Sequence, residues 1–454
     1  TNYKLFNADL FMTKRILALA LLFTFTLVLG TASASWIALR FPAGEFSTDP
    51  NTFYTQLREL FGKIKSSETQ NTVETFIAAS QAGKLPASDL QEVIALCNIM
   101  SDKKMRVTPH FYTYFKALNN MMATAKTGKF ADWQRITKDL LQRAEKGQYN
   151  DLMAFLEFSD NFFEADMLNK TSGQRWVAQS ADYKFKYDNQ IPSVSFDEAS
   201  LFCATAKDTM FIVDTRGDYY PLTTMWEGKT GRVTWERAGF DPNVVFCEIA
   251  GYKIDLKKTE YKVEDAVLYH KKYFTRPLKG TLTDQISGKV NGEYIFPEFK
   301  SYELDIYMKN FAPQTEFRGG FGMSGSQIIG YGTEKDRATL NFYSKDNREI
   351  LSAKSTLFGL KENKEVSSAK TSVSLYFASD SVYHPQLNMR YLMGSDPELR
   401  LVRDGKASSK IAFMSSYHAL EANVDAIFWK MNTPVVNFQM VSQLKEIPVI
   451  FESF

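Results

Sequence analysis

A chain of 454 residues with 44% hydrophobic and 14% aromatic side chains is too apolar for a disordered segment and too long for one ordinary domain, so two or three domains are expected. Its 54 basic and 52 acidic residues leave a net charge of +2, mixed along the chain. That balance excludes the basic stripe by which nucleic-acid binders release counterions, so no nucleic-acid partner is expected.

Eleven residues precede Met12, and from there the sequence reads MTKRILALALLFTFTLVLGTASASW. Lys14 and Arg15 supply a basic start, Ile16 to Leu29 an apolar run, and Ala32-Ser33-Ala34 a small-residue cleavage site. Residues 12–34 therefore read as a secretory signal peptide, and residues 1–11 as upstream read-through. The apolar run is short for a membrane span, and no later stretch is long enough to be one. The mature chain is expected to be exported, to the periplasm or an outer-membrane-associated or extracellular location, with at most peripheral membrane contact.

Residues 45–168 read as a helical domain of five or six helices. Gly83, Gly128 and Gly147 each follow an amphipathic run, as glycines do where a chain leaves a helix in a left-handed conformation. Ser88 with Gln91 has the spacing of a capping box, and Thr108-Pro109 that of a cap with proline at the first helical position. Short connections between helices imply antiparallel hairpins, as a bundle or a short α-solenoid.

Beyond residue 168 the periodicity changes from helical to alternating. Segments such as YKIDLKKTEYKV, YELDIYMKN, ATLNFYS and TSVSLYFA are strands with one apolar face. The fold class expected is α+β: the helical domain, then a mostly antiparallel all-β domain over 176–454, built as a β-solenoid or stacked β-sandwich. The last residues, IPVIFESF, read as an unfinished strand, so the chain reads as the front part of a longer protein. Within the β region Ser352-Ala353-Lys354-Ser355 returns as Ser368-Ala369-Lys370-Thr371. An offset of one strand, a turn and the return strand makes the pair successive rungs or a hairpin, with both lysines on the outer face.

Chemical motifs are few. Gly320, Gly322 and Gly325 satisfy G-x-G-x-x-G, but β-type sequence follows where a phosphate-binding helix would have to start, so tight turns are expected. The four histidines, His110, His270, His384 and His418, show no metal-ligand spacing, and His384 in SDSVYHPQ reads as part of a turn. Asp255 with Glu260, and Glu303 with Asp305, could form paired acids for glycoside chemistry, though on alternating strands such residues usually make the solvated face. No cofactor or metal is expected, and no catalytic residue is assigned. Asn169-Lys170-Thr171 matches a glycosylation sequon.

Two constellations remain as candidates. Trp226 and Trp235 in MWEGKTGRVTWERAGF, surrounded by charges that include Arg232 and Arg237, form the first choice for a surface that contacts a ligand, since exposed aromatic rings stack on sugars. Cys203 and Cys247 occupy matching LFCATA and VFCEIA strand contexts and could form a disulfide if their strands are neighbours, whereas Cys97 reads as a buried apolar side chain.

The segments GKTGRVTWERAGF, YKIDLKKTEYKVEDAVLY and SDSVYHPQLNMRYLMGSDPELRLVR resemble large, uncharacterised exported proteins of Bacteroidetes-type bacteria, from about Trp176 to the C-terminus. More distantly, the serial strands are similar to the β-jellyroll of lipopolysaccharide-transport proteins. That resemblance implies a stacked sheet with an apolar inner seam which, if open, could carry acyl chains. The function expected is that of an exported cell-envelope scaffold that assists transport or assembly of an envelope component, with envelope proteins, lipids or glycans as partners. The competing expectation is a polysaccharide-binding module or glycan-active enzyme, with Trp226 and Trp235 exposed beside paired acids.

Overall fold

The structure, a computed structural model, describes residues 45–287, 289–403, 411–440 and 450–453. The expected read-through and signal peptide lie outside the described residues. No helix among the described residues is long and apolar enough to cross a membrane.

Six helices come first: α1 (Pro50–Gly62), α2 (Ser67–Gln81), α3 (Ala87–Asp102), α4 (Tyr112–Ala123), α5 (Phe130–Arg143) and α6 (Asn150–Ala165). Asp49 caps α1 by accepting from the Thr52 amide at 2.9 Å, and Ser66 caps α2 by accepting from the Thr69 amide at 3.3 Å. Helices two apart in sequence stack on each other, α2 on α4 on α6 and α3 on α5, while α1 packs on α2 and α5 on α6. Of the two arrangements expected, this is the solenoid-like one: hairpins laid side by side, each burying its apolar stripe on the next.

The other start signals are used differently. Pro86 occupies the N-cap of α3, which places Ser88 inside the helix, where its hydroxyl meets Asp89. Gln91 reaches the Thr48 carbonyl instead of closing a capping box. Thr108 is extended (φ −111°, ψ 127°), and regular helix begins only at Tyr112 after one wide turn. Gly83 and Gly147 do take positive φ (74° and 89°), but between α4 and α5 it is Ala125 (φ 56°), not Gly128, that turns left-handed.

Twenty-four strands follow among the described residues. The first nine are β1 (Met167–Lys170), β2 (Gln174–Gln179), β3 (Lys184–Asp188), β4 (Ile191–Thr205), β5 (Thr209–Tyr220), β6 (Met225–Thr234), β7 (Val245–Asp255), β8 (Glu260–His270) and β9 (Leu278–Gln285). They are followed by β10 (Glu298–Ser301), β11 (Ile306–Lys309), β12 (Thr315–Ser324), β13 (Gln327–Tyr331), β14 (Ala338–Tyr343), β15 (Glu349–Ser355), β16 (Leu357–Lys361) and β17 (Glu365–Phe377). The last are β18 (Asp380–Leu392), β19 (Glu398–Arg403), β20 (Phe413–Ser415), β21 (Leu420–Asn423), β22 (Ala426–Lys430), β23 (Val436–Gln439) and β24 (Ile450–Ser453). The sheet thus begins at Met167, ahead of Trp176.

Each pairing from β4 to β10 joins strands consecutive in the chain, and all are antiparallel. Further on, the long strands are interrupted. β12 pairs along one half with β11 and β14 and along the other with β10 and β13. β17 likewise spans both β15 and β16. These registers describe one bent antiparallel meander, in which hairpin partners bond to each other rather than to successive turns of a coil.

The bend has a residue-level cause. In the middle of β8 the register with β9 shifts between Val263 and Ala266, and Asp265 takes φ +57°. β5 has the same feature at Asp214 (φ 49°) and β17 at Lys370 (φ 52°), while β7 takes a positive φ at Gly251 (62°) without a register shift against β6. An extra residue inverts the alternation, so that Val366 and Ser368 before the bulge, and Thr371, Val373 and Leu375 after it, all face inward. Each strand turns a corner without exposing its apolar side.

The Ser-Ala-Lys repeat is this corner seen twice. The two copies sit on directly paired strands, β15 and β17, with Ala353 opposite Val373 and Lys354 opposite Ser372. The Ser355 hydroxyl donates to the Ala369 carbonyl (3.0 Å), the Ser368 hydroxyl to the Leu357 carbonyl (2.6 Å), and the Thr371 hydroxyl to Ser368 (2.7 Å). Small hydroxyls satisfy the carbonyls that the bulge takes out of the ladder, while both lysines point outward.

Helices and sheet share one core. Phe155, Phe158, Phe162 and Phe163 of α6 pack on Phe185, Tyr219, Tyr183 and Phe196 with ring centroids 4.7–6.2 Å apart.

Candidate functional site

The tryptophan block expected at the surface is core. Trp226 and Trp235 are both fully buried. Trp226 faces inward on β6, lies on Phe196 at 5.7 Å, and directs its indole nitrogen towards the Tyr252 hydroxyl (3.4 Å). Room for it comes from Gly217, where any Cβ would lie 2.7 Å from the indole ring. Trp235 donates to the Pro297 carbonyl (3.0 Å), which ties the β6–β7 connection to the strand end before β10. The inward-outward alternation of β6 inverts at Lys229 and Thr230, so Val233 and then Trp235, just past the strand end, fall on the same buried side as Trp226, which overrides the charged surroundings read from the sequence.

The two arginines have structural partners. The Arg232 guanidinium lies 4.0 Å above the Phe246 ring and donates to the Pro242 carbonyl (2.5 Å). Arg237 is largely covered and lies between Asp208 (3.0 Å) and Asp284. Asp284 is 2% exposed, and burial raises its pKa to about 6 against the opposing pull of Arg237. The four expected contact residues thus do not converge on a ligand surface.

The expected disulfide is not formed: Cys203 and Cys247 are free and buried. β5 and β6 lie between the strands that carry them, which separates the two by three strand spacings, about 14 Å, where a disulfide spans about 5.5 Å between Cα atoms. Burial pushes both thiols up, Cys203 to about 12.

The remaining motifs also settle into the fold. Gly320 and Gly322 lie in β12, which turns directly into β13. Gly325 takes φ +52° against Tyr294, where a Cβ would lie 1.7 Å from the carbonyl oxygen. Glu303 pairs with Arg276 and Asp305 with Arg318, outward-facing ion pairs of a solvated face. Asp255 accepts from the Lys257 amide in a turn. His384 lies in strand β18 rather than in a turn: it is buried, its Nε2–H donates to the Ile411 carbonyl (3.2 Å), and its Nδ1 accepts from the Gln386 amide (3.1 Å). The side chain of His418 lies outside those described. Among the described residues, no three His, Cys, Asp or Glu side chains are arranged to hold a metal.

Two recesses stand out among the described residues. A polar one of ≈ 410 Å³ lies between the β2–β3 connection and the corners of β4 and β5, and its lining includes Asp182, Lys184, Asp197, Glu198 and Asp214. Two of its four acids are paired, Asp182 with Lys129 (2.5 Å) and Asp197 with Lys184 (3.0 Å), and each lysine holds its carboxyl below the usual range.

The second, of ≈ 470 Å³, lies at the far end of the meander and is apolar. Phe413 and Ala422 stand opposite each other on β20 and β21, Ala422 opposite Phe451 of β24, and Val382 of β18 opposite Ser415. Phe438 from β23 meets Phe413 and Phe451 edge-on at 6.4 Å from each. Phe377 and Leu420 complete the apolar wall, and Asp380, Ser415 and Tyr417 supply the polar groups. The Ser416 hydroxyl donates to Asp380 (3.0 Å). Around this end Met414, Tyr417, Val435, Ile450 and Phe451 are exposed, an unusual concentration of apolar surface. Its volume lies within the range of about 300–1,000 Å³ typical of small-molecule sites. Sequence reading did not find it, because its lining comes from several separate strands and turns, none of which carries a motif of its own.

Compared with known protein families, curated proteins and solved structures, the chain matches none of them.

Proposed function

We propose that this protein is an exported cell-envelope scaffold that holds an envelope component at the far end of its sheet. The observation that carries this reading is the coincidence, at one end of the meander, of an apolar recess and exposed apolar and aromatic side chains. Apolar surface around a recess offers burial to a partner, so attachment needs no reacting group. The arrangement from Met12 to Ala34 supplies the export half of the reading. The glycan alternative loses the feature that favoured it, since a buried indole cannot stack on a sugar.

The test is fractionation of cells that produce the protein, with and without Tyr417→Lys plus Phe451→Asp. Both side chains are more than half exposed, so these changes should leave the fold intact. We expect the unaltered protein to be processed near Ala34 and recovered with the envelope, and the double variant to be processed but released. Retention in the cytoplasm, or equal envelope recovery of both forms, would overturn the reading.

A further inference from the structure

We infer that the apolar recess at the end of the meander binds one hydrocarbon chain of an amphiphile whose head is neutral or cationic. The inference deepens the envelope reading and rests on it for its biological setting.

The recess is a cavity with a floor and not a flat apolar face. Val382, Phe413 and Ala422 form the floor and are nearly fully buried, while Phe377, Phe438 and Phe451 rise around them. Behind the floor, His384 packs on Phe413 with ring centroids 4.7 Å apart, and both its nitrogens are engaged with backbone. The Arg403 guanidinium also lies against Phe413, 5.7 Å from its ring centroid and bonded to Asn423 (3.0 Å), but it is not part of the lining. The floor itself presents apolar side chains, and a polar ligand resting on them would lose bonds to water without replacement. A hydrocarbon chain loses nothing there and gains contact with aromatic walls.

The polar groups specify the head. Asp380, Ser415 and Tyr417 come from the start of β18, the end of β20 and the turn that follows it, and Asp380 is the one charged residue among those lining the cavity. Its Oδ1 already accepts from Ser416, which orients the carboxylate and leaves its remaining lone pairs to accept from a hydroxyl or ammonium head. A carboxylate or phosphate head would meet a like charge, with no cation in the lining to offset it.

The test is competition against a fluorescent twelve-carbon alcohol reporter on the purified full chain, below micelle-forming concentrations. The competitors are monomyristoylglycerol, tetradecylamine and myristate. We expect the first two to displace the reporter and myristate to be about tenfold weaker. Removing two methylenes from the chain should weaken each competitor about tenfold. Asp380→Asn should bring myristate level with the others. Leu420→Trp, which fills the cavity, should cost at least tenfold; Leu420→Ala, which enlarges it, should retain binding and move the preferred chain length upward. Failure of the reporter to bind, indifference to chain length and to both Leu420 variants, or equal binding of myristate by the unaltered protein would overturn the inference. Fractionation and chain binding fail separately: a chain-binding protein that stays in the cytoplasm would sink the envelope reading alone, and an envelope protein that ignores these chains would sink this one alone.

Discussion

Two buried ionisable residues set opposing pH dependences. His270 is 2% exposed, in a cage of Phe240, Tyr273 and Phe321, and burial lowers its pKa to about 4. Its neutral form is the one folding favours, so its contribution is complete above the unfolded value near 6.5 and is lost as pH falls from there towards 4, up to about 3 kcal/mol. Asp284, beside Arg237, Asp208 and the Tyr261 ring, is raised instead, to about 6. Its contribution is complete below about pH 4 and is lost as pH rises through 6, about 3 kcal/mol in the opposite direction. Between pH 6 and 4 the two largely cancel. We expect urea midpoints of His270→Leu to rise on acidification from pH 7 to 4, and those of Asp284→Asn to fall more steeply than in the unaltered chain; parallel profiles for all three proteins would show that neither shift operates. Sequence gave little warning here, since His270 and Asp284 carry no local mark of burial and only the alternation of β8 and β9 implies it.

At the scale of elements, the corners of the long strands are the decisive devices. Lys370 is exposed and left-handed, so its side chain contributes little packing while its backbone carries strain. We expect Lys370→Gly to be neutral or stabilising by up to about 1 kcal/mol, and Lys370→Val to cost about 1–2 kcal/mol, because a β-branched residue tolerates positive φ worst. Chemical denaturation checks both, and a valine variant as stable as the glycine variant would remove the strained bulge from the account. The repetition of Ser-Ala-Lys was legible as a structural beat, and its lysines do point outward. That it marks a corner was not legible, because an inserted residue looks in sequence like any other polar pair between two alternating runs. Helix stops fared similarly: Gly83 leaves its helix left-handed, Gly147 is left-handed only in the turn beyond an extended Ala144, and Ala125 turns left-handed with no glycine to announce it.

At the scale of the whole molecule, α6 joins the solenoid-like layer of helices to the sheet through four phenylalanines. Phe162 is fully buried and touches both Tyr183 and Phe196 of the sheet as well as its own helix neighbours. We expect Phe162→Ala to cost about 3–5 kcal/mol, and helical and sheet signals to be lost together in one transition. Separate transitions in the unaltered chain, by far-ultraviolet dichroism and by tryptophan emission, would show that the interface does not couple the two.

By itself, the sequence determined the division of the chain into helices and then strands, because periods of 3.6 and 2 are properties of each segment alone. It also determined that the outward acids and lysines of the strands would be solvated, since alternation assigns faces locally. Only the tertiary structure decided which face became interior and which residues met there. Trp226 and Trp235 went inside with their strand, Cys203 and Cys247 were parted by two intervening strands, and Phe377, Phe413, Phe438 and Phe451 were brought around one cavity. Register and bending bring together residues far apart in the chain, and no single segment records that geometry.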